Sequence, residues 1–227
     1  ILLAPLEALA NQTLSTGDQI ALNKWKKNVF SHASATGGNL TCWGEDGRIK
    51  KVMLYRIADL IVEMSPKGRT AAQAEVYRTS ARCGAADITI RVGGAEALSL
   101  CPELETEDLA EYIATGDCFA VGLLSHEGMM LHASAVEYGG QAVCFSAPPG
   151  TGKSTHTEKW VRLFGASILN DDKPALRREN GVWRVYGTPW SGKEALNQTR
   201  NAPLRAICFL FQGEENALQP LTPAEAL

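Results

Sequence analysis

Ser146-Ala147-Pro148-Pro149-Gly150-Thr151-Gly152-Lys153-Ser154-Thr155 has the spacing G-x-x-x-x-G-K-[ST], with Ala147 in place of the first glycine. Each position in such a loop has a physical task. Gly150 and Gly152 allow the tight turns that aim successive backbone N–H groups at phosphate oxygens. The helix that follows offers its positive N-terminal end to the same anion. Lys153 is the point charge expected on the β- and γ-phosphates, and the Ser154 hydroxyl the expected Mg²⁺ ligand. Thr151 and Thr155 complete the phosphate-facing set.

The flanks suit the motif. Ala142-Val143-Cys144-Phe145-Ser146 reads as a buried strand entering the loop. Beyond it, Trp160, Val161, Leu163 and Phe164 have helical spacing, and Gly165 is placed to stop the helix. Strand, glycine loop and helix in that order predict a nucleoside triphosphate site rather than a turn that merely resembles one.

Working upstream, Met129-Met130-Leu131-His132-Ala133-Ser134-Ala135-Val136 leads to Gly139-Gly140, a two-residue hairpin turn. That turn pairs Tyr138 with Gln141, Val136 with Val143 and Ser134 with Phe145, and continuing the register sets His132 opposite Ala147. A histidine there can touch a transferring phosphate or polarise a nearby acid. Equally, a lone histidine in an apolar strand can be a hydrogen-bonded core residue.

Downstream, Ser167-Ile168-Leu169 reads as a strand ending in Asn170-Asp171-Asp172-Lys173-Pro174. Carboxylates at a strand end beside a phosphate loop can hold Mg²⁺ or accept a nucleophile's proton. The same residues also make good Asx-turn chemistry. The expectation for the pair is Asp171 as base near His132 and Asp172 as its metal-linked partner. Glu179-Asn180-Gly181 then turns a hairpin between Ala175–Arg178 and Val182–Tyr186. It delivers the chain to Gly187-Thr188-Pro189-Trp190-Ser191-Gly192-Lys193-Glu194, a shaped loop. Lys193 there is either a stabiliser of phosphoryl charge, or a solvated lysine beside a packing anchor, Trp190.

Composition limits the alternatives. The chain has 227 residues, 45% hydrophobic and 21% charged, enough for a sizeable core. A net charge of -3 argues against a general nucleic-acid binder. No apolar run approaches the roughly 20 residues of a membrane span. Six scattered cysteines without a C-x-x-C pair fit reduced thiols and a cytoplasmic setting. Ile1 to Leu6 is apolar but has no basic leader, so a signal peptide is not expected. The capping box Thr222-Pro223-Ala224-Glu225 announces a further helix, so the chain reads as part of a longer protein.

Three stretches are expected: a poorly defined segment 1–50, a β-rich part 51–103 packed on the core, and the P-loop core 104–227. In the second, Met53 to Glu63 is a strand-like run and Ile88, Ile90 and Val92 alternate. At the start of the third, Leu109, Tyr112 and Ile113 fall on one helical face.

The ordered blocks Leu131 to Ser134, Gly150 to Thr155, Asn170 to Pro174 and Gly187 to Lys193 resemble those of bacterial HPr-kinase-like proteins, related to HPr kinase/phosphorylase. The resemblance runs from about Met53 to Leu227 and is strongest from Gly128 to Leu204. It implies an α/β fold: a P-loop core with a mixed β-sheet, like that of phosphoenolpyruvate carboxykinase, with a small β-containing N-terminal part. It assigns Lys153 and Ser154 to ATP and Mg²⁺, Asp171 and Asp172 to metal and base, and His132 to a place beside the base. True HPr kinases carry Glu where this chain has Thr155, and E-I-R-G-x-G near where Gly187 to Lys193 stands, so HPr itself is not implied as substrate.

The expected activity is ATP-dependent transfer of a γ-phosphoryl group to a hydroxyl of a small molecule, peptide or protein. A non-catalytic ATP-binding regulatory module is the alternative. A carboxykinase-like reaction is weaker, because no second Lys, His and Asp metal set is evident. The expected partners are a nucleoside triphosphate and an unidentified phosphate acceptor, not nucleic acid or membrane, with a homo-oligomer left open.

Overall fold

The computed structural model describes residues 53–80, 85–148 and 150–222. Segment 1–50, Cys42, Cys83, Pro149 and the capping box beyond Thr222 lie outside the described residues. Among the described residues, those from Met53 to Gln219 form one compact unit.

Two sheets make up the described unit. The smaller is ordered β3-β1-β2-β4. Its strands are β1 (Met53–Ile57), β2 (Leu60–Met64), β3 (Arg78–Thr79) and β4 (Ile88–Thr89). The Met53 to Glu63 run is therefore a hairpin and not one strand. Ala58 and Asp59 turn it with φ of 52° and 58°, the geometry of a tight primed turn. Asp59 tolerates that conformation but Ala58 does not favour it, and the turn is held from outside: Arg177 Nη1 donates to the Ala58 carbonyl at 3.0 Å. Of the Ile88-Ile90-Val92 alternation, only Ile88 and Thr89 join the ladder, parallel to β2.

Helices α1 (Gly68–Ala74), α2 (Gly94–Leu100) and α3 (Glu107–Leu124) accompany this sheet. Thr106 caps α3, its hydroxyl accepting from Leu109 N–H at 3.2 Å, with Glu107 and Asp108 in the first turn. Tyr112, Phe119 and Leu123 form its buried face, whereas Leu109 is exposed, against the expectation that it shares that face.

The larger sheet has the order β5-β9-β10-β11-β7-β6-β8. It contains β5 (Gly128–Met130), β6 (Ala133–Tyr138), β7 (Gln141–Ser146), β8 (Ser167–Asn170), β9 (Ala175–Glu179), β10 (Val182–Tyr186) and β11 (Asn201–Phe209). It is mixed: β7 and β11 run parallel, and the other pairs are antiparallel. The Gly139-Gly140 hairpin has the expected register, with Ser134 opposite Phe145 and Val136 opposite Val143. Asn180 and Gly181, at φ 49° and 81°, turn β9 into β10. Helix α4 (Lys153–Phe164) follows β7 and ends at left-handed Gly165, whose N–H reaches the Trp160 and Val161 carbonyls.

One apolar cluster ties the two sheets together. Tyr55, Ile57, Leu60 and Val62 of the small sheet pack with Phe119 and Leu123 of α3 and with Ala175, Tyr186 and Trp190. No helix among the described residues is long and apolar enough to cross a membrane.

Candidate active site

The Met129 to Val136 run is cut in two. β5 pairs with β9, β6 pairs with β7 and β8, and Leu131-His132 forms the step between them. Main-chain bonds brace the step: Leu131 N–H to the Pro174 carbonyl at 3.1 Å and Ala133 N–H to the Asp172 carbonyl at 2.9 Å. His132 is therefore no core histidine. Its side chain is 51% exposed, and its Nε2 lies 3.3 Å from Asp172 Oδ1. The Ser146 hydroxyl donates to the His132 carbonyl at 3.0 Å, so the histidine stands at the mouth of the loop that β7 feeds.

Gly150 and Gly152 have φ of 78° and 104°, and α4 starts directly at Lys153. The Lys153 ammonium donates to the Ala147 carbonyl at 2.7 Å, folding back across the loop. The Ser154 hydroxyl, exposed at the helix start, donates to Asp171 Oδ2 at 3.2 Å. The other Asp171 oxygen accepts from Ser134 at 2.6 Å, and Ser134 in turn accepts from Thr157 at 2.7 Å. Ser134 and Thr157 are fully buried, so these bonds hold Asp171 rigidly across β6 toward the loop.

The two aspartates thus part company. Asp171 joins Ser154, and Asp172, not Asp171, faces His132, reversing the neighbour expected from sequence. The cause is Asn170. Its buried side-chain oxygen accepts from Asp172 and Lys173 N–H at 3.0 and 2.8 Å, and its amide donates to the Thr188 carbonyl at 3.0 Å. This is the Asx turn that sequence offered as the rival of a chemical role. The turn is present, and it fans the two carboxylates apart.

Gly187 to Lys193 closes the opposite side. A Cβ on Gly187 would stand 1.9 Å from the Gln198 carbonyl oxygen and 2.6 Å from that of Leu169, so only glycine fits. Trp190 is the packing anchor: it stacks on Phe119 with ring centroids 5.0 Å apart and donates to Thr115 at 3.2 Å. Gln73 of α1 binds Ser191 and the Gly192 carbonyl, and Gly192 N–H donates to the Tyr112 hydroxyl at 3.1 Å. A Cβ on Gly192 would lie 3.3 Å from the Asp172 Cβ, so this turn adjoins the carboxylate. Lys193 is exposed beside it.

Burial lowers the His132 pKa below its ordinary value; Lys153 and Lys173 lower it further, and Asp172 opposes them. Burial likewise lowers His156, which packs edge-on against Phe145 at 4.6 Å. On α3, burial raises the Asp117 carboxyl, with Lys173 opposing.

Ser134, Thr157, Asn170, Thr188 and Tyr112 carry the site's second layer, and none was assigned a role from sequence. A serine inside the otherwise apolar run Ala133-Ser134-Ala135-Val136 was the available signal, since a polar group in a buried strand needs a partner. Its partner, 37 residues away in sequence, could not be read from spacing. Among the described residues no cluster of three or more His, Cys, Asp or Glu forms a closed metal cage.

What this defines is a mixed α/β protein whose strand–glycine loop–helix unit meets a diverging aspartate pair. A family model described as "SynChlorMet cassette protein ScmC" matches residues 119–227. No curated protein matches. Among solved structures, 13 chains match. One is the Hpr(Ser) kinase/phosphatase from Coxiella burnetii, at 16% identity and a TM-score of 0.31, covering 40% of this chain and 64% of that one.

Proposed function

We propose that this protein transfers the γ-phosphoryl group of ATP to a hydroxyl acceptor. The observation that carries the reading is the split of the aspartate pair, with Asp171 bonded to the Ser154 hydroxyl and Asp172 beside His132. One carboxylate is thereby available for a cation and the other for a proton.

The donors suit Mg²⁺. A hydroxyl and a carboxylate oxygen converge at 3.2 Å, and Mg²⁺ takes one or two carboxylates plus substrate phosphates and water rather than an all-protein cage. Ser154 and Asp171 would hold the ion, which would neutralise charge on the β- and γ-phosphates when bound. Gly150, Thr151, Gly152 and Thr155 line the phosphate loop with backbone N–H groups, and Lys153 supplies its cation. Asp172 takes the acceptor's proton as the new P–O bond forms and the bond from the γ-phosphorus to the bridging oxygen breaks, releasing ADP. His132, kept neutral by burial and the two lysines, donates its Nε2–H to Asp172 and holds it in place. Lys193, on the turn beside Asp172, offers a cation to the charge developing on the transferring group.

Variants separate these roles. Lys153→Ala is expected to abolish calorimetric ATP binding. Asp171→Asn is expected to remove the Mg²⁺ dependence of that binding. Asp172→Asn should keep binding while transfer falls at least ~100-fold. If Asp172→Asn abolished Mg²⁺-dependent binding and Asp171→Asn spared it, the two roles would be exchanged. Slow hydrolysis that no added acceptor accelerates would leave an ATP-binding regulatory module.

A further inference from the structure

Tyr112, which accepts from the Gly192 turn, carries on its ring a cation that the transfer chemistry does not use. The Arg69 guanidinium carbon lies 3.9 Å above the centre of the Tyr112 ring. The Tyr112 hydroxyl accepts from Gly192 N–H, and Gly192 packs against Asp172. Burial raises the Tyr112 phenol pKa; the Gly192 N–H and Arg69 oppose this, and Asp172 adds to it, so both charges bear on one hydroxyl. Arg69, Tyr112, Gly192 and Asp172 therefore form a continuous row.

Arg69 is half-buried, and among the described residues no carboxylate lies within ion-pair distance of its guanidinium. Two neighbouring carboxylates are engaged with main-chain N–H groups instead: Asp108 accepts from Arg69 N–H at 2.8 Å and Glu111 from Lys67 N–H at 2.5 Å. One guanidinium N–H is turned to the Tyr112 hydroxyl, and the remaining N–H donors are the ones that can grip a carboxylate or phosphate bidentately. The ring also fixes the fork in advance, so less side-chain entropy is lost on binding.

Taking the transfer reading above as its basis, we infer that the phosphate acceptor is an anion, and that Arg69 is the specificity-determining residue that receives its carboxylate or phosphate while its hydroxyl meets Asp172. The row also gives an orientation. The acceptor's anionic group lies at Arg69 and its hydroxyl points along the row toward Asp172.

The test uses the full chain loaded with ADP and Mg²⁺, so that the phosphate loop is filled and cannot itself capture the probe. Matched probes differ only in charge: glycerol against glycerate and glycerol 3-phosphate, and a short serine peptide with a free C-terminal carboxylate against its amide. Calorimetry should show at least one anionic member binding about tenfold or more tightly than its neutral counterpart. Arg69→Gln should erase that preference without changing ADP affinity, and Arg69→Lys should restore part of it. With ATP, the same preference should appear in KM more than in kcat. Equal binding of charged and neutral members, no saturable binding of any anionic member, or a preference that survives Arg69→Gln would each overturn the inference. Loss of ADP binding to the wild-type chain would instead overturn the transfer reading beneath it. A preference for glycerate and the free peptide identifies a carboxylate acceptor, and one for glycerol 3-phosphate a phosphorylated acceptor; either supports the role of Arg69.

Discussion

Two lysines and one carboxylate act on the half-buried imidazole of His132, and their signs can be separated. Burial depresses its pKa below 6.5 and both lysines add to the depression. The folded state thus prefers neutral His132. That preference contributes stability above the unfolded pKa near 6.5 and is lost as pH falls through the lower folded value. Imidazole NMR should place the His132 midpoint below 6.5. Lys153→Ala should move the midpoint up, and Asp172→Asn should move it down. A midpoint that ignores both changes would mean the three groups are not adjacent in solution. The acid side of the transfer profile is expected to follow the same midpoint, because a protonated His132 would strengthen its hold on Asp172 and weaken that carboxylate as a base.

Helix α3 and the Gly187 to Lys193 loop are joined at Gly116, where a Cβ would stand 3.0 Å from Trp190 Cδ1 and 3.2 Å from its Cγ. The bare backbone there lets the indole lie flat against the helix and reach Thr115. Gly116→Ala is expected to push the ring outward and lower stability by about 1–3 kcal/mol in a denaturant titration. Through Ser191 and Gly192 it should also weaken the wall that Tyr112 and Arg69 form. An unchanged midpoint would show that the indole has room to move. Elements of this kind also show where sequence reading stops. The Gly139-Gly140 and Asn180-Gly181 turns, and the helix between Lys153 and Gly165, were legible because local backbone chemistry determines them. The Ala58-Asp59 turn was not: alanine does not ask for positive φ, and the arginine that holds Ala58 lies 119 residues away. The aspartates were legible as a pair, but their directions came from Asn170, whose grip depends on Thr188. The tertiary partners of Ser134 and Tyr112 were equally out of reach of spacing and period.

At the scale of the molecule, the small sheet and the large one share a single apolar cluster that crosses the expected boundary near residue 104. A chain cut to residues 104–227 would expose the side of Phe119, Leu123 and Trp190 that Tyr55, Ile57 and Val62 cover. That fragment is expected to lose its near-ultraviolet circular dichroism and to bind hydrophobic dye; a cooperative melt with native near-ultraviolet signal would show the core self-sufficient. The parallel pairing of β7 with β11 has a consequence for biosynthesis. β7 leaves the ribosome with β6 already available as a hairpin partner, but its other edge waits for β11, roughly 50 residues later. At about 5–20 residues per second the nascent chain holds an open, apolar strand edge for roughly 3–10 s. Such an edge is a template for pairing with a neighbouring chain on the same polysome. Soluble yield should therefore depend on how fast the message is translated between Ser146 and Asn201, and on whether a chaperone covers that edge in the interval.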